Sequence, residues 1–274
     1  MQLFKRVRCS MSLFVALFVM ATGASAEASD SWRTALQGEH RSEAAKARDV
    51  YRHPRETLEF FGVTPSSTVL EMYPGGGWYT DVLAPLLADS GTLYAAHMGV
   101  NESNYARRAL GGFLAKLGAN GDLYRAVTVT AFNPPGDVLV APPESVDVAL
   151  AIRNVHSWMR LATLETALTA VYDALKPGGV FGVVQHRGTP GMSEQAMKDS
   201  GYVDPEYLIG LAELIGFELD AESQINANPK DTKDYETGVW TLPPSYRLGD
   251  QDRAKYEAIG ESDRMTLKFV KPLD

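Results

Sequence analysis

The feature that most constrains this chain is the run Thr68-Val-Leu-Glu-Met-Tyr-Pro-Gly-Gly-Gly-Trp-Tyr-Thr-Asp81. A β-prone apolar stretch, Thr68 to Met72, carries an acid at Glu71 and breaks into three consecutive glycines. Trp78, Val82, Leu83, Leu86 and Leu87 then recur at helical spacing. The run reads as strand, tight turn and helix. Glycines in such a turn accept positive φ and leave no Cβ between main chain and ligand, so a nucleotide-like group can lie against the backbone at the helix N-terminus. An acid at the strand end is placed to accept a hydrogen bond from it. A glycine-rich turn also occurs as a purely structural bend, and the placement of the later strands separates the two.

The passage resembles motif I of the class I S-adenosylmethionine-dependent methyltransferases, acid-x-Gly-x-Gly-x-Gly. Glu71, Gly75 and Gly77 fall on the acid and the last two glycines, with Gly76 between them, and Tyr73 stands where the pattern has its first glycine. That exchange alters how closely the methionine part of a ligand can approach. The resemblance implies an α/β fold, a Rossmann-like seven-stranded sheet, mostly parallel with an antiparallel last strand, and S-adenosyl-L-methionine as cofactor. Upstream, Tyr51-Arg-His-Pro-Arg-Glu-Thr-Leu-Glu-Phe-Phe-Gly62 is similar to an RHPxETLxFFG element of a family of predicted exported bacterial methyltransferases, and the likeness runs through most of residues 27–274. Pro54 suits the first turn of a short helix there, Leu58 and Phe61 its core face, and Gly62 its end. Arg52 and His53 either reach a ligand pocket beneath this leading segment or only cap it.

Residues 1–26 read as an export signal: Lys5, Arg6 and Arg8, then an apolar core from Leu13 to Met20, then Ala24-Ser25-Ala26 before Glu27. The apolar run falls short of the roughly 20 residues a membrane span needs, although an uncleaved anchor is the alternative. The single cysteine, Cys9, leaves with the signal, which fits a periplasmic or secreted destination. Losing three basic residues and no acid takes the formal charge from −8 to −11. An acidic chain is a poor partner for nucleic acid or anionic membranes. A helical extension is expected over 27–62 and the methyltransferase-like domain over 63–274, with a polar insertion at about 227–262. From Trp32 to Val50, Glu39, Arg41, Glu43, Lys46 and Arg48 read as a solvated helical face.

The remaining strands fall in sequence. Gly91 to His97 is the second, and the resemblance sets His97 where an acid usually binds the ribose hydroxyls. A helix from about Asn101 to Leu117 follows. Ala126 to Phe132 is the third strand, ending at Asn133-Pro-Pro-Gly136, where Asn133 either receives the adenine amino group or makes an ordinary turn. Ser145 to Asn154 is nearly continuously apolar, as a parallel strand covered on both faces should be. Its exit, Arg153-Asn-Val-His-Ser-Trp158, corresponds in the resembled superfamily to the place where donor and acceptor meet. A helix from Leu161 to Leu175, the Lys176-Pro-Gly-Gly179 turn, and a strand from Val180 to Gln185 ending at His186-Arg187 complete the central part. Asp204 to Ile215 is an amphipathic helix before strand six. Met265 to Val270 is the last strand. Within the polar stretch from Asn226 to Asp263, Trp240, Pro243, Pro244 and Tyr246 either cover a pocket or belong to an exposed loop.

In an open parallel sheet, ligands bind beyond the carboxyl ends of the strands. Glu71, His97, Asn133, Asn154, His156 and His186 all belong to that edge. The leading reading is a methyltransferase acting on a small molecule or an accessible side chain. His156 is the first choice for the base that takes a proton from the acceptor, His186 the second, and Arg153 or Arg187 orients an anionic acceptor. Asn154 joins Glu71, Tyr73, the glycines, His97 and Asn133 in the expected cofactor set, and no metal is expected. The acceptor and the oligomeric state are not legible. Two alternatives stand: an exported non-catalytic relative that keeps the fold, and a metal-binding protein using His97, His156 and His186.

Overall fold

The computed structural model describes residues 31–100 and 103–273. The expected signal at 1–26, Cys9 within it, and the expected helix start at Asn101 lie outside the described residues. The chain opens with helix α1 over 31–37, two single helical turns, α2 (Glu43–Lys46) and α3 (Asp49–Arg52), and α4 (Pro54–Phe60). Then follow β1 (Thr68–Met72), α5 (Thr80–Leu87), β2 (Thr92–Met98), α6 (Asn104–Ala119), β3 (Val127–Phe132), β4 (Val146–Ile152), α7 (Val155–Arg160), α8 (Leu164–Ala174) and β5 (Leu175–His186). The last elements are α9 (Glu194–Ser200), α10 (Pro205–Ile215), β6 (Glu218–Ser223), α11 (Arg253–Ile259) and β7 (Arg264–Val270).

The seven strands form one sheet in the order β3-β2-β1-β4-β5-β7-β6. Pairing from β3 across to β5 is parallel, and β7 runs antiparallel to both β5 and β6. This is the Rossmann-like α/β sheet of the class I methyltransferases, with the antiparallel last strand that the sequence led us to expect. The direction reverses at β1, which lies between β2 and β4, so the glycine turn leaves the sheet at its switch point.

Burial follows position in the sheet. Central β1 and β4 are almost wholly buried, whereas the edge strand β6 alternates between exposed and half-buried residues. Carboxylates at Glu218, Asp220 and Glu222 keep that edge in water and discourage pairing with another chain. On one face Trp158, Leu168, Phe181 and Phe269 form the core; on the other, Leu58, Phe61, Val69, Leu83 and Leu150 do. Leu58 and Phe61 come from the leading segment, so α4 and its exit act as a helix layer of the sheet. Pro54 occupies the first turn of α4 and Gly62 leaves its end at φ 81°, as the sequence suggests.

Four local readings change. The helix expected over 161–175 begins only at Leu164 as α8, and the strand exit before it forms a further short helix, α7, with Ala162 in the left-handed region at φ 55° between the two. Lys176 to Gly179 is a bulge within β5: Leu175 pairs with Val146 and Val180 with Val148, so four residues are looped out of the ladder. Arg41 and Arg48 are not on a solvated face. Arg41 is fully buried in a bidentate pair with Asp49 (2.9 and 2.6 Å) and lies over the Trp78 ring, and Arg48 donates to Glu261 at 2.6 Å. Burial is tolerable because each guanidinium meets a carboxylate.

The polar stretch before β7 is an ordered layer, not an exposed loop. Asn226 donates through Nδ2 to Thr57 Oγ1 and Thr266 Oγ1, both at 3.0 Å. Asp231 accepts from the Tyr202 hydroxyl (3.0 Å) and the Asp263 amide (2.7 Å). These buried polar groups are paired with one another, which is how a hydrophilic segment packs against a core. Among the described residues no helix is long and apolar enough to cross a membrane.

Phe61 lies so close to β5 that a Cβ at Gly182 would stand 2.6 Å from its ring. Gly182→Ala is therefore expected to overpack the joint between the leading segment and the sheet and to cost about 1–3 kcal/mol. Urea unfolding checks this, and adding Phe61→Leu should recover part of the loss.

Candidate ligand and active site

The carboxyl ends of β1, β4 and β5 and the start of β7 open on one cavity of about 790 Å³. Its first wall is the turn after β1. Tyr73 (φ 45°), Gly75 (φ 59°) and Gly77 (φ 77°) are all left-handed, the region that motif I fills with glycine. Tyr73 tolerates that strain because its ring is buried between Phe132 and Trp158, with its hydroxyl donating to the Phe132 carbonyl at 3.2 Å. The side chain at the exchanged position thus packs into the core below the turn. Where a Cβ would stand at Gly75 or Gly76, nothing lies within 4 Å, and both glycines line the cavity. Gly77 plays another part, with Phe113 3.1 Å from its would-be Cβ.

Glu71 is buried under this turn and accepts from the Thr80 hydroxyl at 2.6 Å. Desolvation raises its pKa to about 7 against the pull of that bond. The carboxyl is poised to ionise fully when a cationic group reaches it. Asn154 ties the two central strand exits together, donating through Nδ2 to the Met72 carbonyl at 2.5 Å. Arg153, just before it, sits at φ 63°, a strained conformation for a long side chain.

The far wall holds His156 and His186, with ring centroids 5.5 Å apart. The Gln185 amide nitrogen donates to the Gly201 carbonyl (2.9 Å) and approaches His156 Nδ1 at 3.1 Å. The shorter contact suits Nδ1 as acceptor with the proton on Nε2, while the Gln185 amide oxygen lies 3.4 Å from the same Nδ1. His186 Nδ1 lies 2.5 Å from the Ser262 hydroxyl. Burial lowers the His156 pKa to about 4, helped by Arg160 and Arg153 and opposed by Gln185. Burial pushes His186 well below the ordinary imidazole value, with His156, Arg153, Arg264 and Arg52 adding to it. Neither ring titrates near neutrality, as free imidazole would; both are neutral there.

The residues that the sequence nominates for the site divide into two groups. Glu71, Tyr73, Gly75, Gly76, Arg153, Asn154, His156 and His186 share the cavity lining. His97 does not: it is fully buried beside Phe113, its Nε2 bonded to the Gly75 carbonyl at 3.2 Å, so it braces the turn from behind. Asn133 closes a tight turn through its amide to the Asp137 carbonyl (2.6 Å), with its side chain against Gly99. Arg187 is drawn to Asp263. Among the described residues no three His, Cys, Asp or Glu side chains are arranged to hold a metal ion.

Sequence reasoning missed a charge cluster. Glu261 is buried and accepts from Arg48 (2.6 Å), Arg52 (3.1 Å) and Arg264. Burial alone would raise its pKa, but Arg264, Arg52, Arg48 and Arg153 together bring it down to about 2. The one available signal was Glu261-Ser-Asp-Arg264, a charged run abutting an apolar strand. Trp240 and Pro243 with Pro244 line the cavity from the polar layer, and Trp240 meets the His156 ring edge-on. Tyr246, expected with them, instead stacks under Arg253.

Sheet order, glycine turn and strand-end cavity together define a protein with the class I methyltransferase fold. No family model and no curated protein sequence matches the chain. Solved structures do. An S-adenosylmethionine-dependent methyltransferase from Aquifex aeolicus is similar at TM-score 0.55 and 15% identity, over 82% of this chain and 93% of that one. A putative sarcosine dimethylglycine methyltransferase from Galdieria sulphuraria matches at 0.55 and 13%, over 91% and 98%. The [4+2]-cyclase SpnF matches at 0.57 and 16%, over 86% of both chains.

The fold implies a sulfonium nucleoside, and the open main chain at Gly75 and Gly76 fits one: a cradle that any Cβ would narrow lies beside a carboxyl ready to take charge. Glu71 and Glu261 act on stability with opposite signs. Glu261→Ala leaves buried guanidinium groups uncompensated and should cost about 3–5 kcal/mol. Because its folded pKa is depressed, the stability Glu261 provides is present above the unfolded value near 4.5 and lost as pH falls through about 2. Glu71 behaves the other way: its contribution is full below 4.5 and lost as pH rises through about 7. Glu71→Gln should flatten the decline in melting temperature across that window.

Proposed function

We propose that the protein is an S-adenosyl-L-methionine-dependent methyltransferase acting on a small molecule, exported after removal of residues 1–26. One observation carries the reading: the exposed main chain of Gly75 and Gly76 and the neutral pair His156 and His186 face the same cavity. When bound, the cofactor supplies an electrophilic methyl group on sulfur. The chain's own residues then bind, orient and manage a proton. Glu71 accepts from the cationic amino end, the Gly75 and Gly76 backbone lies along the methionine portion, and Asn154 holds the exits of β1 and β4 in register. Met98 and Tyr105, also in the cavity lining, mark the side toward β2 where the nucleoside extends.

On the acceptor side, His156 presents Nε2–H to an acceptor oxygen or nitrogen. His186 removes the proton when the Ser262 hydroxyl accepts from its Nδ1–H, which leaves Nε2 unprotonated. Of the two histidines it is therefore the better placed base, reversing the order that the sequence suggests. Trp240 and the Pro243-Pro244 segment exclude water above them.

The braced position of His97 favours a second reading, a non-catalytic binder with this fold, since among the described residues no acid stands at the end of β2 to receive ribose hydroxyls. That SpnF is a cyclase is a reminder that such a sheet hosts more than one chemistry. Calorimetry of the full chain with S-adenosylhomocysteine decides first: saturable binding, weakened at least tenfold in Glu71→Gln, is expected, and no heat defeats the donor assignment. Transfer of labelled methyl from S-adenosylmethionine into a pooled metabolite extract decides next. His186→Ala and His156→Ala should lose it while keeping nucleoside affinity, and a binder transfers none. With donor saturating, the wild-type turnover rate should stay flat as pH is lowered from 8 to about 5, because both rings remain neutral throughout, whereas donor affinity should fall as Glu71 protonates below about 7.

A further inference from the structure

The cavity lining carries more cations than anions in an acidic chain, and of its cations only Lys116 is answered by a lining acid, Asp81. Arg48, Arg52, Arg153, Arg160, Arg264 and Lys116 line it, against Glu71 and Asp81. Behind the lining, Glu261 answers Arg48, Arg52 and Arg264, and there is no second carboxylate in that cluster among the described residues. Arg153 makes no side-chain hydrogen bond or ion pair among the described residues, and its buried Nε is without a partner. The same holds for one buried guanidinium nitrogen each on Arg48 (Nη2), Arg52 (Nη2) and Arg264 (Nε). Arg52 and Arg264 are only 3% and 2% exposed. A guanidinium stays protonated, and an unpaired buried charge with unmade hydrogen bonds is among the costlier things a fold can retain. Here the hydrogen bonds left unmade are on buried Arg52 and Arg264 and on Arg153, which is half-buried, carries a charge with no partner and has a left-handed backbone.

We propose that these arginines form an oxyanion subsite, so that the acceptor is a small molecule bearing a carboxylate or phosphate group. This rests on the methyltransferase reading for the word acceptor, but not for the anion site itself. Planar guanidinium forks match both oxyanions, and spare N–H groups on several arginines supply several donors at once. Position separates the subsite from the nucleoside. Arg153 leaves β4, His186 ends β5, and Arg264, its register partner, begins β7, all on the side of β1 away from β2 and β3. The nucleoside half of the cradle extends toward β2. An oxyanion held by Arg153, Arg52 and Arg264 would place the rest of its molecule beside His156 and His186. Burial and the neighbouring arginines hold the Arg153 pKa well below the ordinary value, which reports the same excess of positive charge.

The test uses the full chain, with inorganic phosphate and acetate as probes, followed by calorimetry and melting temperature with and without saturating S-adenosylhomocysteine. The expected result is saturable binding of at least one probe that persists when the nucleoside is bound, weakened at least tenfold in Arg153→Met. That variant should melt no lower than the wild type without anion, since it removes an unpaired charge, and should lose the rise in melting temperature that the anion gives the wild type. Arg264→Lys, which keeps the charge that Glu261 needs, should weaken the anion several-fold, and it serves if Arg153→Met fails to fold. Phosphate against acetate identifies the oxyanion. No binding of either probe overturns the proposal. So does anion binding that the nucleoside abolishes, together with a tenfold loss of nucleoside affinity in Arg153→Met, because the arginines would then belong to the donor's own carboxylate. Anion binding without nucleoside binding would leave the subsite standing and remove the methyltransferase reading.

Discussion

A single buried carboxylate, Glu261, holds together parts of the chain that lie far apart in sequence. Arg48 and Arg52 come from the short helical turns ahead of the sheet, and Arg264 opens β7. Their common partner draws the leading segment over the strand ends and fixes the polar layer at its last turn. The same layer is pinned from beneath by Asn226 to Thr57 and Thr266. Without these charge and amide contacts the strand-end cavity would be an open groove. With them the leading segment and the polar layer both line it, and Trp240 reaches His156.

That closure has an electrostatic consequence. Bringing three arginines to one acid leaves positive charge in excess, and Arg153 adds to it from the exit of β4. In water such charges would be screened, but inside a cavity of low polarity each depresses the proton affinity of its neighbours. His156 and His186 are neutral chiefly through burial, with the arginines adding to it, and Arg52 falls to about 10 chiefly through desolvation, opposed by Glu261. Across the turn, Glu71 is displaced the other way, because little but the Thr80 hydroxyl compensates its burial. One cavity therefore offers a carboxyl that wants a cation at one end and guanidinium groups that want an anion at the other.

The turn after β1 shows how a departure from a motif is accommodated. A glycine is expected at position 73 because the backbone there is left-handed, and Tyr73 adopts that conformation all the same. Its ring finds Phe132 and Trp158 on the core side. Likewise His97, found where an acid is expected, turns inward to the Gly75 carbonyl. Both exchanges convert ligand-facing positions into braces for the loop, leaving the open backbone of Gly75 and Gly76 as the contact surface.

The succession of strands, the glycine turn, the amphipathic α10, and the placement of His156 and His186 at strand ends were legible in the sequence, because each rests on short-range signals: periodicity of two or 3.6, turn glycines, and apolar runs that must be covered on both faces, whereas the order of the strands within the sheet came only with the family resemblance. The break between α7 and α8 and the bulge at Lys176 to Gly179 were not, since neither a left-handed alanine nor a looped register leaves a local mark. Nor could the sequence tell that Arg41 and Glu261 are buried, or that Arg48 is half-buried beside them. Charged residues read as surface until their partners are known, and the partners of Arg48 and Arg52 lie more than two hundred residues away. Local chemistry determined the scaffold and the rim; only long-range packing decided which charges would be drawn inside, and with them the polarity of the site.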